Sequence, residues 1–363
     1  MQSSPVPVPT TQRAIVQGSA GQPTIAENIP IPTLRPGTLL IKTVAVALNP
    51  SDNKMGAAFP CPGAVIGMDF AGQIVDMKPA EGAETPDPDF RVGDMVCGVV
   101  HGSNPGDPTT GSLAEYVRAP ADLVLRVPEG FPLEQAAALG TPLLTSCVAL
   151  WSSLAITAMP ESPLAKPAPV LVYGGSTTCG TMAIQLLKTI GYDPVATCSS
   201  RNFDMVKSYG ASAVFDYTSN DLGRNIKTHT GGRLRHALDC IADQASTTCC
   251  YASLGRPGGR YAYLESSPKE WKTREAVKPD FALAYEAFGR EVKLDGEYGR
   301  PASPAKHEMA VKVFRSFQKL LDEGKVRAHP TEVVGHGFES IIEGLRKLKS
   351  GAVSGKRLVV WIE

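Results

Sequence analysis

Residues 170–191 read VLVYGGSTTCGTMAIQLLKTIG. The opening run Val170-Leu171-Val172-Tyr173 is too brief for a helix and follows Pro163, Pro167 and Pro169, which predicts a buried strand. Gly174-Gly175-Ser176-Thr177-Thr178-Cys179-Gly180 then turns the chain into Met182, Ala183, Leu186, Leu187 and Ile190. Their spacing lays an apolar stripe along one helical face, and Gly191 stops the helix. A helix leaves its first N–H groups unpaired at its positive end, and a turn without bulk lets phosphate approach them. Strand, glycine turn and helix are therefore the parts of a dinucleotide-binding unit. The middle of the usual glycine pattern is occupied by Ser176-Thr177-Thr178, leaving Gly174, Gly175 and Gly180. Hydroxyls donate to phosphate oxygens, so the departure fits a nucleotide; the plain alternative is a strand-to-helix connection that binds nothing.

Downstream, strands and helices alternate. Strands are expected at 194–198, 213–215, 237–241, 260–264 and 281–288, with helices at 202–209 and 245–254. Such alternation demands a parallel sheet covered on both faces. Upstream the texture differs. Segments 13–17, 39–48, 65–75, 90–98, 111–117 and 123–127 are short apolar runs cut by glycines, a β-rich domain with a polar surface loop at 78–89. Segment 134–154 is rich in alanine and leucine and reads as helix interrupted at Gly140-Thr141-Pro142; the proline-rich 159–169 reads as a linker. Two amphipathic helices follow near the end, one carrying Met309, Val313, Phe317 and Leu320, the other Ile341, Ile342, Leu345 and Leu348, before a strand at 356–361. The expected organisation is a β-rich domain over 1–160, a nucleotide domain over 161–294, and a return to the first domain over 295–363.

Composition limits the function. The chain has 363 residues, enough for two cores, with 36 basic and 36 acidic side chains and no basic run, so neither nucleic acid nor an anionic membrane is an expected partner. Segment 1–12 is rich in proline and polar residues and lacks the apolar core of a signal peptide, and no apolar run is expected to span a bilayer. Cys61, Cys97, Cys147, Cys179, Cys198, Cys240, Cys249 and Cys250 show no spaced framework, the usage of reduced core cysteines in a cytoplasmic protein. The adjacent Cys249-Cys250 reads as a helix face in preference to a metal pair.

The second strand of the nucleotide unit bears on which dinucleotide is held. An NAD site places a carboxylate at that strand's end for the ribose 2′-hydroxyl. Here stand Ser199, Ser200, Arg201 and Asn202, with no carboxylate before Asp204. Two hydroxyls and a guanidinium suit a 2′-phosphate and favour NADPH, against the plain reading of a polar turn. Tyr217, after the third strand, either stacks on adenine or faces solvent.

With these parts in order, a β-rich domain carrying Asn49-Pro50-Ser51-Asp52 and Gly93-Asp94, a nucleotide unit, and a return, the chain resembles the medium-chain dehydrogenase/reductase superfamily, in its zinc-free quinone-oxidoreductase branch. The resemblance implies an α/β fold made of a GroES-like β-rich catalytic domain and a Rossmann doubly wound parallel-sheet cofactor domain. The zinc-binding branch has a cysteine and a Gly-His-Glu motif where this chain has Ser51 and Gly67-Met68-Asp69, and the cysteine lobe of its structural zinc is missing, so no metal is expected. Asn49-Pro50-Ser51-Asp52-Asn53-Lys54-Met55, Glu134-Gln135-Ala136-Ala137-Ala138-Leu139, Val170 to Thr177, Ala196-Thr197-Cys198-Ser199, Asn202-Phe203-Asp204, Val214-Phe215-Asp216-Tyr217, Ala237-Leu238-Asp239-Cys240-Ile241 and Ser354-Gly355-Lys356 are similar, more narrowly, to the fungal trans-acting enoyl reductases.

That family reduces a carrier-bound enoyl chain with NADPH, in trans on an iterative polyketide synthase or a polyketide synthase–peptide synthetase hybrid whose own enoyl reductase domain is inactive. The resemblance implies the same cofactor and partner here, in a monomer. It assigns to the cofactor cleft Pro50, Ser51, Asp52, Asn53, Lys54, Gly175, Ser176, Thr177, Thr178, Ser199, Ser200, Arg201, Asn202, Tyr217, Leu264, Glu265, Val353 and Ser354. To the acyl pocket it assigns Gly140, Thr141, Pro142, Leu143, Leu144, Thr145, Ser146, Leu283, Ala284, Tyr285 and Glu286.

Saturating an α,β-enoyl thioester requires donors on the developing enolate oxygen. Lys54 is the candidate cation and Thr141 the candidate hydroxyl. By itself Lys54 reads as a solvated surface lysine and Thr141 as a helix cap; only the motif raises them further. Asp52 either orients Lys54 or ties down its own turn. The histidines at 101, 229, 236, 307, 329 and 336 read as surface or packing residues, which leaves water as the source of the Cα proton. Two rival readings are a free-standing NADPH-dependent quinone or enone reductase and an NADPH-binding protein without catalysis. Segment 267–278, with Trp271, is a candidate docking surface or lid.

Overall fold

The computed structural model describes residues 8–362 apart from 84, 86 and 88. The first seven residues of the loose N-terminal segment, and those three positions of the 78–89 loop, lie outside the described residues. In chain order the strands and helices are β1 (Thr11–Gln17), β2 (Pro23–Pro30), β3 (Thr38–Ala47), α1 (Pro50–Ala58), β4 (Asp69–Lys78), β5 (Met95–Val99), β6 (Tyr116–Pro120), β7 (Val124–Arg126), α2 (Leu133–Ala136) and α3 (Gly140–Cys147). Then come β8 (Pro169–Tyr173), α4 (Thr178–Thr189), β9 (Asp193–Cys198), α5 (Phe203–Ser208), β10 (Ala213–Asp216), α6 (Leu222–His229), β11 (His236–Asp239), α7 (Gln244–Ser253), β12 (Gly259–Tyr263) and β13 (Val277–Phe281). The chain closes with α8 (Pro304–Asp322), β14 (Thr331–His336), α9 (Gly337–Lys349) and β15 (Arg357–Trp361). Two packed units result: one runs to Thr141 and takes in Val292–Gly299 and the chain from Phe317, the other is Pro142–Glu291 with Arg300–Ser316.

In the first unit a seven-stranded sheet runs β14-β15-β3-β4-β5-β7, with β6 also on β3, and the β1–β2 hairpin stands apart. All its pairings are antiparallel except β14 with β15. β15 lays Val359–Trp361 against Ala45–Ala47 of β3. One core gathers Ile15, Val46, Leu48, Phe338, Ile341, Leu345 and Leu358 beneath α9, the face predicted from its apolar spacing.

The second unit holds six parallel strands ordered β10-β9-β8-β11-β12-β13. Counted from β8, this is the strand order of the Rossmann fold, with the chain reversing direction across the sheet at β8. Every residue of β8 is buried, as a strand covered on both faces requires.

Several local expectations are corrected. Residues 281–288 do not form the sixth strand: β13 ends at Phe281, and Ala284–Phe288 is a 3₁₀ turn closed by Gly289 at φ 71°. The true strand, VKPDF, was illegible because its middle three residues are exposed and include Pro279, which an edge strand tolerates. Segment 267–278 is tied down: Lys272 lies over the Tyr263 ring at 4.1 Å, and the Arg274 guanidinium donates to the Tyr251, Leu254 and Gly255 carbonyls at 2.6, 3.1 and 2.8 Å. One stretch, Leu133–Ser153, is long and apolar enough to cross a membrane by length and composition, against the expectation of none, but 83% of it is buried within the fold. The helix breaks inside it at residues 137–139, ahead of the expected Gly140-Thr141-Pro142, which instead opens α3; a Cβ at Gly140 would run into the Gly98 carbonyl and stand 2.9 Å from Asp69 Oδ1. β2, β14 and α6 were not foreseen.

Candidate active site

The Asn-Pro-Ser-Asp stretch opens a helix. Asn49 is the N-cap of α1 and Pro50 its first residue, where a missing N–H costs nothing. The Asn49 N–H donates to Asp52 Oδ2 at 2.7 Å, so Asp52 ties down its own turn; burial pushes its carboxyl up to about 7. Asn53 donates to the Leu345 carbonyl at 2.9 Å and pins α1 to α9. With Asp52, Met55 and Gly56 buried, Lys54 lies on the exposed side of the helix.

Below α1 lies a buried polar cluster that sequence reasoning missed. Asp69, with no exposed surface, opens β4. Its Oδ2 accepts from Asn49 Nδ2 at 2.8 Å and from Arg357 Nη2, while Oδ1 accepts the Thr141 N–H at 2.5 Å. Arg357 also donates to Asn49 Oδ1 at 2.7 Å. The Thr141 hydroxyl is not a cap. It is buried, 8% exposed, and finds no hydrogen-bond partner among the described residues. A buried hydroxyl left so costs about 1–3 kcal/mol, which an acceptor on a ligand would recover.

Zinc does not fit. Where the zinc branch carries cysteine and histidine, the Ser51 hydroxyl contacts the Met68 thioether at 3.4 Å, and both Asp69 oxygens are engaged as described. Among the described residues no three of His, Cys, Asp and Glu gather as a metal set.

Two buried histidines bear on stability. Burial, helped by the nearby Arg357 guanidinium, pushes His329 down to about 4, and burial alone pushes His101 to about 3. Below pH 6.5 the unfolded chain takes up protons that these imidazoles refuse, so stability present above that pH is lost as pH falls toward 4. Asp52, raised, contributes the opposite slope between about pH 4 and 7. We expect His329→Gln to remove about 2 kcal/mol of the loss between pH 7 and 5, read from denaturant unfolding at both. An unchanged slope would show His329 to be protonated in the fold.

In the second unit, Gly174 holds φ 80° and Thr177 is the N-cap of α4. The Thr177 hydroxyl donates to the Gly174 carbonyl at 2.8 Å and accepts the Gly180 N–H at 3.0 Å, so it shapes the turn and its proton is not offered to phosphate. The Gly175 N–H is likewise taken, by the Thr197 carbonyl at 2.8 Å, so any phosphate donors of the turn would come from Ser176, Thr178 and the first N–H groups of α4. At the end of β9, Ser199, Ser200, Arg201 and Asn202 form a 3₁₀ turn in which Asn202 Nδ2 donates to Ser199 Oγ at 3.2 Å and Arg201 is exposed. Asp216 intervenes: the Thr218 hydroxyl and N–H, and then the Ser200 N–H and hydroxyl, hold its carboxyl below the usual range. Ser200 is thereby engaged by a carboxylate from the next strand, which the linear reading could not reveal.

Tyr217 is 51% exposed and lines a groove of about 850 Å³. Tyr173, Arg224, Lys227, Gln244 and Thr248 share its walls. Beside the glycine turn, Ile241 is 43% exposed and stands 3.0 Å from where a Gly174 side chain would begin. It is held there by Asp239, whose Oδ1 accepts the Ile241 and Ala242 N–H groups at 2.9 Å each and whose Oδ2 accepts the Tyr261 hydroxyl at 2.8 Å. A carboxylate closing an otherwise apolar strand was the available signal for it.

The remaining candidates divide between the units. Val353 packs on the α9 core and Ser354 is exposed, both in the first; half-buried Leu264 and Glu265 belong to the second, where the Leu264 N–H donates to the Asp239 carbonyl at 3.2 Å. Along α3, Leu143 and Leu144 are fully buried, and Pro142, Thr145 and Ser146 are also buried. Leu283 and Tyr285 are buried beside half-buried Ala284. Glu286 is held by Lys306 Nζ at 2.5 Å and Arg300 Nε at 3.6 Å, an ion-paired tie to the start of α8.

Comparison with known proteins agrees with this architecture. Residues 35–129 match the model of the alcohol dehydrogenase GroES-like domain, and residues 178–277 that of zinc-binding dehydrogenases. The NADPH complex of mycobacterial Rv1454c superposes with a TM-score of 0.69 at 19% identity, covering 97% of this chain and 100% of that one, a likeness of fold. Trans-enoyl reductase TwmE of Talaromyces wortmannii is 47% identical, covering 98% of this chain and all of the relative. Trans-enoyl reductase poxP of Penicillium oxalicum is 44% identical over 99% of this chain and 95% of its own. With a glycine turn at the reversal point of a six-stranded parallel sheet, a GroES-like unit whose zinc ligands are replaced, and this identity along its full length, the chain belongs to the trans-enoyl reductases, oxidoreductases of the medium-chain dehydrogenase/reductase superfamily.

Proposed function

We propose that this enzyme uses NADPH to reduce the α,β double bond of an acyl thioester carried by an iterative polyketide synthase, or by a synthase–peptide synthetase hybrid, to which it binds in trans. The observation that supports the reading is the Thr141 hydroxyl, buried without a partner among the described residues, at the head of a helix where the Thr141 N–H is anchored by Asp69. Such a donor suits a thioester carbonyl, and Lys54 supplies the cation for the charge that oxygen acquires. When bound, NADPH supplies the hydride to Cβ. Ser176 and Thr178 with the head of α4 would hold its pyrophosphate, Ser199, Arg201 and Asn202 its 2′-phosphate, and Tyr217 with the Arg224 and Lys227 groove its adenosine. Proton delivery to Cα is left to water, since the buried histidines are held neutral. Eight free cysteines suit a reducing cytoplasm.

The test combines the purified protein with NADPH or NADH and a series of enoyl thioesters, free and carrier-linked, scoring dinucleotide oxidation and saturated product. Carrier-linked chains should turn over fastest. Faster turnover of short free enones or quinones would replace this reading with a free-standing reductase, and no oxidation with any acceptor would end it. The 2′-phosphate assignment has its own check. Arg201→Asp is expected to raise the Kd for NADPH about 100-fold with little change for NADH, by loss of a charge-assisted pair and gain of a like charge. Equal effects on both nucleotides would remove Arg201 from the site.

A further inference from the structure

Asp69 occupies the place of a metal-branch motif residue, yet no metal uses it, and it is buried completely at a junction of four segments. Its carboxylate accepts from Asn49, the residue that starts α1, from Arg357, the residue that starts β15, and from the Thr141 N–H at the head of α3. Gly140 lets α3 come this close, since any side chain there would meet Asp69 and the Gly98 backbone. The fit is too specific for a charge that merely fills space. A carboxylate stripped of water needs donors, and two of its three here, Asn49 and the Thr141 N–H, stand at the start of the segments that bear the candidate donors, the third being Arg357.

Resting on the roles proposed above for Lys54 and Thr141, we infer that Asp69 is the positioning residue for both. Through Asn49 it fixes where α1 begins, hence where Lys54 stands; through the Thr141 N–H it fixes the first turn of α3, hence where the hydroxyl points. Arg357 neutralises the charge and donates to the amide oxygen of Asn49, so that the three side chains form one joint. The displacement needed to spoil catalysis is small, because misplacing a donor by about 1 Å costs on the order of 10²-fold.

The experiment uses the full chain. Asp69→Asn alone turns an amide on Arg357 and strands that cation, so the principal variant is the neutral pair Asp69→Asn with Arg357→Gln, accompanied by Asn49→Ala, which cuts the tie to α1 and the Arg357 contact on the Asn49 amide but leaves Asp69 on Arg357 and on the Thr141 N–H. We expect kcat on an enoyl thioester to fall about 10- to 100-fold in the pair and about 10-fold in Asn49→Ala, with KM and the NADPH Kd, read by nucleotide fluorescence, within about threefold of the parent. In a Lys54→Ala background the pair should cost far less than it does alone, because a joint that acts through Lys54 has less left to position. A folded pair with kcat within twofold of the parent, or losses that simply add, would overturn the inference. If the pair fails to fold, Asn49→Ala decides by the same measure. Should Lys54→Ala and Thr141→Val both leave turnover unchanged, the reading beneath it falls instead.

Discussion

Replacing Lys54 with alanine is expected to lower kcat on an enoyl thioester by about 10²- to 10³-fold, the range found when one oxyanion donor is removed, with the Kd for NADPH within about threefold. The size follows from what Lys54 is asked to do. As hydride reaches Cβ, charge gathers on the thioester oxygen, and a fixed ammonium stabilises it most when no water competes. Lys54 is the basic side chain of α1 and lies on its exposed side, with Asp52 bound to its own turn and Asn53 to α9. Thr141→Val should cost less, about 10- to 30-fold, because a neutral hydroxyl is the weaker donor. Steady-state kinetics with direct measurement of nucleotide binding separates the steps, and unchanged kcat in Lys54→Ala would place the charge elsewhere.

At the glycine turn, Gly180→Ala is expected to weaken NADPH binding at least about 30-fold, the loss of more than one well-made charge-assisted contact. A Cβ at 180 would run into the Gly174 carbonyl and stand 2.9 Å from the Gly175 Cα. Neither neighbour can yield cheaply: Gly174 already lies at φ 80°, and Gly175 is held by its N–H to the Thr197 carbonyl at 2.8 Å. The Thr177 hydroxyl bridges Gly174 and Gly180, so separating them opens the cap and turns the first N–H groups of α4 away from the phosphate. Thr177→Ala removes the bridge without the clash and should cost about 1 kcal/mol of stability, the worth of an ordinary N-cap. Titration with NADPH beside a thermal melt reads both effects. A folded Gly180→Ala protein with unaltered affinity would mean that the nucleotide does not use this turn.

Much of the second unit was legible residue by residue. Val170 to Tyr173, the glycine turn and the stripe from Met182 to Ile190 each state a local preference that burial on both faces leaves intact. β13 was displaced by several residues because an edge strand does not need the apolar pattern that marks a central one. Asn49-Pro50 reads equally as a turn and as an N-cap followed by proline that begins a helix, and Gly56-Ala57-Ala58 offers little stripe to decide between them.

The candidate site was legible as a set of positions and not as a set of bonds. Sequence alone determined the kind of fold, the glycine turn between strand and helix, the loss of zinc ligands and the family, because each is written in residues adjacent along the chain. Tertiary structure alone decided which polar groups are already engaged. Thr177 caps α4, Ser200 serves a carboxylate from the next strand, and Asp69 is shared with partners 20, 72 and 288 residues away, while the Thr141 hydroxyl is left buried and without a partner among the described residues. The reason is physical. A hydrogen bond is owed to whatever the fold brings within about 3 Å, and chain separation carries no information about that distance.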